Sequence, residues 1–212
     1  MYPGERFNSI THLVGSVVAF AGAIALVIVA AGGDARRLTA LSIYGASLFI
    51  LYLSSTMYHS LRGPAKRIFH VFDHCSIYIL IAGTYTPLTL VVLRGVWGWS
   101  LFAVIWLLAV IGITKDSLFH GRFRVVSVLL YVAMGWLAVV AFGPLRQALP
   151  PAAIAWLIAG GIVYTTGIIF FALSKHVPYT HGIWHMFAIG GSVCHYVMIW
   201  RFIARAPMLL PS

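Results

Sequence analysis

Long apolar stretches alternate with short polar segments along the whole chain. Each stretch is about as long as the roughly 20 residues that a helix needs to cross the hydrocarbon core of a bilayer. The pattern predicts an all-α integral membrane bundle of seven transmembrane helices. It leaves little chain for anything else, so we expect residues 1–212 to form a single seven-helix domain. The predicted helices lie near residues 10–31, 38–60, 68–92, 97–114, 124–143, 151–173 and 180–204.

The composition agrees with a membrane protein. The chain is 61% hydrophobic and 8% charged, whereas soluble domains carry roughly 25% charged residues. Its net charge of +10 raises the question of nucleic acid, but the 14 Lys and Arg residues are scattered through short loops and helix ends. Basic loops of this kind interact with anionic lipid headgroups. We therefore expect membrane lipids as partners, no nucleic acid, and no protein partner.

The loops also indicate an orientation. Short links join antiparallel neighbours, so successive helices cross in opposite directions. Slightly more Lys and Arg residues fall on the side of the N-terminus, Arg122 and Lys175 among them. Because positive charge accumulates in cytoplasmic loops, the count indicates a cytoplasmic N-terminus and an external C-terminus.

Polar residues within the predicted helices gather at one depth. Odd-numbered helices begin on the N-terminal side and even-numbered helices end there. At about 1.5 Å per residue, the polar residues at these ends fall within roughly 10 Å of one face. They are Glu5, Asn8, His12, Ser54, Ser55, His59, His70, Asp73, His74, His181 and His185.

Three histidines of this layer have the spacing of a metal site. His181 and His185 are four residues apart, so their side chains project from the same side of one helix. His59 ends another helix at the same depth and completes a set of three nitrogens. Three nitrogens with an open fourth position are typical of catalytic zinc, which lowers the pKa of bound water towards about 7. The sequence therefore predicts Zn²⁺ on His59, His181 and His185.

Asp73 and Ser55 are the predicted catalytic residues beside that metal. A carboxylate within a membrane helix is costly and requires a positive or hydrogen-bonding neighbour. Asp73 can ligate the metal directly, or take a proton from the activated water and pass it to a leaving group. Ser55 precedes His59 by one helical turn and can hydrogen-bond the water or a developing oxyanion.

Each of these residues also has a structural interpretation when taken alone. The histidine pair can hydrogen-bond between helices, His59 can be an interfacial residue, and Asp73 can pair with Lys66 or Arg67. The metal hypothesis depends on the coincidence of all of them at one depth.

Four further polar residues are open to two interpretations. For Glu5, Asn8 and His12, the first interpretation is helix capping and hydrogen bonding within the bundle. The second is that they support the metal ligands through hydrogen bonds. His195 lies deeper in the last helix. A packing role in the bundle is favoured for His195 over a place in the polar lining of a cavity.

Four stretches carry a resemblance to a known family. ERFNSITH, SSTMYHSL, FDHCSIYILIAGTYTP and HGIWHMFAIGGSVCHY resemble the hemolysin III branch of the progestin and adipoQ receptor family. That family belongs to a larger group of membrane hydrolases that includes alkaline ceramidases. The resemblance covers nearly the whole chain and implies seven helices with the N-terminus inside. It also implies zinc on His59, His181 and His185, with Ser55 and Asp73 beside the metal-bound water.

The compact chain resembles the bacterial members, which implies a multi-pass protein of the cell inner (plasma) membrane. For the receptors the resemblance implies hydrolysis of the ceramide amide bond. For the bacterial branch it implies an influence on the state of membrane lipids.

Three functions follow from these observations. The first is a zinc-dependent intramembrane hydrolase of a lipid amide or ester, ceramide-like, whose substrate enters from the bilayer. The second is a non-enzymatic membrane receptor or membrane-state sensor with structural zinc. The third is a pore, which the sequence disfavours because the half of the bundle opposite the polar layer is nearly all apolar.

Overall fold

A computed structural model of the chain describes residues 4–119, 123–174 and 176–206. In this part of the chain, seven helices are long and apolar enough to cross a membrane, and no strand is formed. The prediction of an all-α bundle with seven spans is confirmed, whereas the orientation and the single domain stay predictions. Arg122 and Lys175, which enter the charge count, lie outside the described residues. The seven spans are Arg6–Ala30, Ala35–Ser60, Gly63–Leu93, Gly95–Phe119, Arg124–Ala148, Pro151–Leu173 and Thr180–Ala204.

The ends of several spans follow from local chemistry. The side chain of Asp34 caps the second span by accepting a hydrogen bond of 2.7 Å from the backbone N–H of Arg37. The sixth span begins with Pro151. Proline fits the first helical turn, because an N–H group at that position would have no acceptor within the helix. In the third span, the α-helix ends at Pro87 and continues as a π-helix over Leu88–Leu93. Pro87 has no N–H to donate to the carbonyl of Gly83, and the change to the π-helical pattern begins at the next residue.

The fourth span extends further than predicted, to Phe119 rather than to residue 114. Lys115 and Asp116, which the sequence placed in a loop, are therefore helical. The Asp116 carboxylate is buried, lies 2.7 Å from the Lys115 ammonium, and accepts hydrogen bonds from Tyr78 (3.0 Å) and Ser127 (2.9 Å). The helix can continue through these charges because the third and fifth spans supply their partners.

The spans pack so that the first and the last of them meet. The first span packs on the second, the second on the third, and the sixth on the seventh, while the first also contacts the seventh. Small residues allow close approach, as at Gly45, where a Cβ would lie 2.8 Å from the Cβ of Ala23. The starts of the first, third and seventh spans thus lie beside the end of the second. The predicted polar layer is assembled at this face of the bundle.

Candidate metal centre

Three imidazoles from two spans converge at this face. His59 lies in the last turn of the second span, and His181 and His185 lie in the first turns of the seventh. The Nε2 atom of His181 lies 3.3 Å from Nε2 of His59 and 3.1 Å from Nε2 of His185. The ligand atoms of all three residues lie within 4.8 Å of one another, and His59 and His185 are buried.

These distances fit a metal ion. Two nitrogens bound tetrahedrally at about 2.0–2.1 Å from zinc are separated by about 3.3–3.4 Å, close to the separations found here. Three lone pairs that face one another repel unless a cation or a proton lies between them. The arrangement could therefore hold a metal ion, and the described residues form no second group of this kind.

Glu5 fixes the orientation of the His59 ring. One oxygen of the Glu5 carboxylate lies 2.6 Å from Nδ1 of His59, and it also accepts a hydrogen bond of 3.2 Å from Asn8. A carboxylate only accepts, so Nδ1 carries the proton, and in the neutral ring Nε2 presents its lone pair to the other histidines. The other oxygen of Glu5 lies 3.2 Å from the Lys66 ammonium. Although Glu5 stands at the N-terminus of the first span, its side chain makes no capping hydrogen bond.

The same contacts keep Glu5 ionised. Partial burial raises the pKa of Glu5, but its interactions with His59 and the hydrogen bonds from Asn8 and Lys66 hold that pKa below its usual value. A depressed pKa means that these contacts stabilise the fold at neutral pH and are lost as the pH falls through it.

We expect Glu5→Gln to weaken metal binding by about 10- to 100-fold, because the neutral amide no longer enforces the orientation and basicity of the His59 ring. The measurement is a competition titration of the purified protein with a chromogenic chelator. Asp34→Asn is the matched control, since it makes the same change of carboxylate to amide at the start of the second span, and it should bind metal as the wild type does. An unaltered affinity in Glu5→Gln would show that this hydrogen bond does not support the site.

His12 supports the second histidine of the pair by packing. Its ring stacks on the His185 ring with centroids 3.7 Å apart and meets the edge of Tyr52 at 5.1 Å. The side chain is buried, and neither of its nitrogens has a hydrogen-bond partner among the described residues. The first span thus helps to place both His59, through Glu5, and His185, through His12.

The two predicted catalytic residues lie in the wall of an inner cavity of about 120 Å³. Asp73 and Ser55 line this cavity together with His181 and His185. Asp73 is not a member of the group of mutually close ligand atoms, and its carboxylate lies 3.9 Å from Nδ1 of His74. The structure therefore brings three of the five predicted site residues into one cluster and places the other two beside it.

A wider cavity of about 1030 Å³ opens beside His59 and His181, and its wall includes Arg124, which the sequence did not single out. The Arg124 guanidinium lies 3.8 Å above the Phe171 ring and donates hydrogen bonds to the carbonyl oxygen of Phe171 (2.8 Å) and to Ser174 (3.2 Å). Arg124 opens an odd-numbered span, so it belongs to the same face and to the Lys and Arg residues on the side of the N-terminus. Its charge alone gives no sign that it lines a cavity.

The fold and the site define a multi-pass membrane protein with a three-histidine group that could hold a metal ion. The family model described as "Haemolysin-III related" matches residues 2–196, so the chain belongs to this family. The resemblance seen in the sequence is thereby confirmed.

Several named proteins are similar over most of the chain. Hemolysin-3 of Bacillus cereus is 43% identical over 94% of this chain and 91% of its own length. The Hemolysin-3 homolog of Bacillus subtilis (strain 168) is 39% identical over 97% of both chains. The human monocyte to macrophage differentiation factor is 29% identical over 78% of this chain and 71% of its own. No solved structure matches the chain.

Proposed function

We propose that the protein is a zinc-dependent intramembrane hydrolase that cleaves an amide or ester bond of a ceramide-like lipid. The observation that carries the proposal is the convergence of three Nε2 atoms beside a cavity whose wall holds a carboxylate and a hydroxyl. Zinc bound by three nitrogens activates water at neutral pH and polarises a carbonyl oxygen. This chemistry is what hydrolysis of an unactivated amide requires.

The remaining residues have distinct roles in this proposal. Asp73 accepts a proton from the attacking water and delivers it to the leaving amine or alcohol. Ser55 donates a hydrogen bond to the carbonyl oxygen as negative charge develops there. Glu5 and His12 are positioning residues that act through His59 and His185. The products are a fatty acid and the amine or alcohol.

The inner cavity supports a lipid substrate. It leads from Asp73 and the histidines to Trp136 and Gly161 deeper in the bundle, and its wall is predominantly apolar. A long chain entering from the bilayer would lie in this cavity, with its polar linkage at the metal layer. In this proposal the protein lies in the cell inner membrane with the N-terminus in the cytoplasm, and its partners are membrane lipids.

A receptor or membrane-state sensor with structural zinc is the second candidate. It is favoured by the fact that the three histidines join two spans, so a metal would pin the second span to the seventh. Structural zinc sites have four protein ligands, however, whereas the candidate group among the described residues has three. The open position favours the hydrolase.

The test is hydrolysis by the purified protein in lipid nanodiscs. Ceramides and simpler acyl amides and esters are incubated with the zinc-loaded protein, and released fatty acid is measured by mass spectrometry. We expect release that is lost on treatment with a chelator and restored by Zn²⁺. Zinc-loaded protein that releases no fatty acid from any of these lipids would contradict the hydrolase and favour the receptor.

A further inference from the structure

His195 lies at the inner end of the cavity that begins at the candidate metal centre. It follows His185 by ten residues in the same helix, a rise of about 15 Å towards the middle of the bundle. The cavity wall between the two histidines is mainly apolar, with Leu51, Ile81 and Ala188 among its residues. An imidazole at this depth is costly unless its polar atoms have partners.

One nitrogen of His195 has a partner and the other does not. Nε2 lies 3.2 Å from the carbonyl oxygen of Leu157 in the sixth span. Because a carbonyl only accepts, Nε2 carries the proton, and the neutral ring has Nδ1 as a hydrogen-bond acceptor. Nδ1 forms no hydrogen bond with the described residues.

The surrounding hydroxyls hydrogen-bond to groups other than Nδ1 of His195. The Tyr164 and Ser192 hydroxyls lie 2.7 Å apart. Thr165 accepts a hydrogen bond of 3.0 Å from the Trp136 indole and donates one of 2.7 Å to a backbone carbonyl. Neither pair supplies a donor to His195.

The packing of the helices makes room for the ring. Gly160 of the sixth span lies directly against His195, and a Cβ at that position would overlap the imidazole. The Tyr164 ring packs at 5.5 Å on another side. The His195 side chain is thus held in one orientation by its neighbours while remaining in the wall of the cavity.

We infer that His195 forms a subsite for a hydrogen-bond donor in the middle of the bound acyl chain, so that the lipid class this cavity selects is one with a mid-chain hydroxyl. The inference rests on the proposed function for the position of the linkage at the metal layer. A hydroxyl about 15 Å from that layer would donate to Nδ1 of His195 and satisfy it. A saturated chain without a hydroxyl would leave the acceptor unpaired.

Equilibrium binding separates this inference from the hydrolase proposal. Zinc-loaded protein in nanodiscs is titrated with pairs of fatty amides that differ only in a mid-chain hydroxyl, and each displaces a fluorescent acyl amide. We expect the hydroxylated chain to bind about 2- to 10-fold more tightly, the value of one net hydrogen bond. A hydroxyl moved next to the amide should give no gain. If these preferences hold while no hydrolysis is seen, the subsite stands and the proposed reaction falls.

His195→Phe should remove the preference for the hydroxylated chain, while chains without a hydroxyl still bind. Because both lipids are measured on the variant and on the wild type, any difference in how they partition into the nanodisc cancels. His195→Asn, which keeps an amide near the position of Nδ1, should retain part of the preference. His176→Phe changes an exposed loop histidine and should behave as wild type. Equal binding of the two chains by the wild type, or an undiminished preference in His195→Phe, would overturn the inference.

Discussion

The purified His181→Ala variant is expected to bind zinc more than about 100-fold more weakly than the wild type. His181 is the central member of the cluster, since its Nε2 lies 3.1 Å from that of His185 and 3.3 Å from that of His59. Loss of an outer-shell partner alone typically weakens metal binding by about 10- to 100-fold, and loss of a ligand should exceed that range. The measurements are metal content by mass spectrometry and affinity by chelator competition.

A nearby histidine provides the control for that experiment. His70 stands at the same face and packs against the rings of Tyr58 and His74, but it is not a member of the cluster. His70→Ala should keep wild-type metal content, and circular dichroism should show an intact helical bundle in both variants. Wild-type metal content in His181→Ala would rule out the assignment of this ligand.

The second large effect is expected in Asp73→Asn, which should lose hydrolytic activity by about 10²- to 10⁴-fold while keeping its zinc. An amide at this position has the shape of the carboxylate but cannot take a proton from water. The residue lies in the cavity wall and outside the group of ligand atoms, so its loss should spare the metal. Fatty acid release and metal content are measured on the same preparation.

Asp34→Asn is the matched variant for that substitution. Asn can cap the second span as Asp34 does, so activity and stability should stay at the wild-type values. Loss of zinc from Asp73→Asn would contradict a role through water and make Asp73 a ligand. Full activity in that variant would remove it from the proposed mechanism.

The sequence predicted the spans and the histidine cluster because both follow from regular geometry. A helix that crosses a bilayer needs a fixed length of apolar residues, and four-residue spacing places His181 and His185 on one side of it. The alternation of direction between short loops then brings the end of the second span to the start of the seventh. His59 could be assigned to the same layer on this basis alone.

The contacts that support the cluster could not be predicted in the same way. The hydrogen bond from His59 to Glu5 depends on how the first span is rotated against the second, which no local pattern specifies. The stacking of His12 on His185 depends on the contact between the first and last spans. The predicted fourth helix ended at residue 114, before Asp116, whereas residues of two neighbouring spans bind its carboxylate within the bundle.

The most direct test of the account is anomalous X-ray diffraction at the zinc absorption edge from crystals of the metal-replete protein. We predict one strong peak about 2.0–2.1 Å from Nε2 of His59, His181 and His185, with no fourth protein ligand. A peak at other residues, or none between these three imidazoles, would contradict the metal centre and the hydrolase proposed from it.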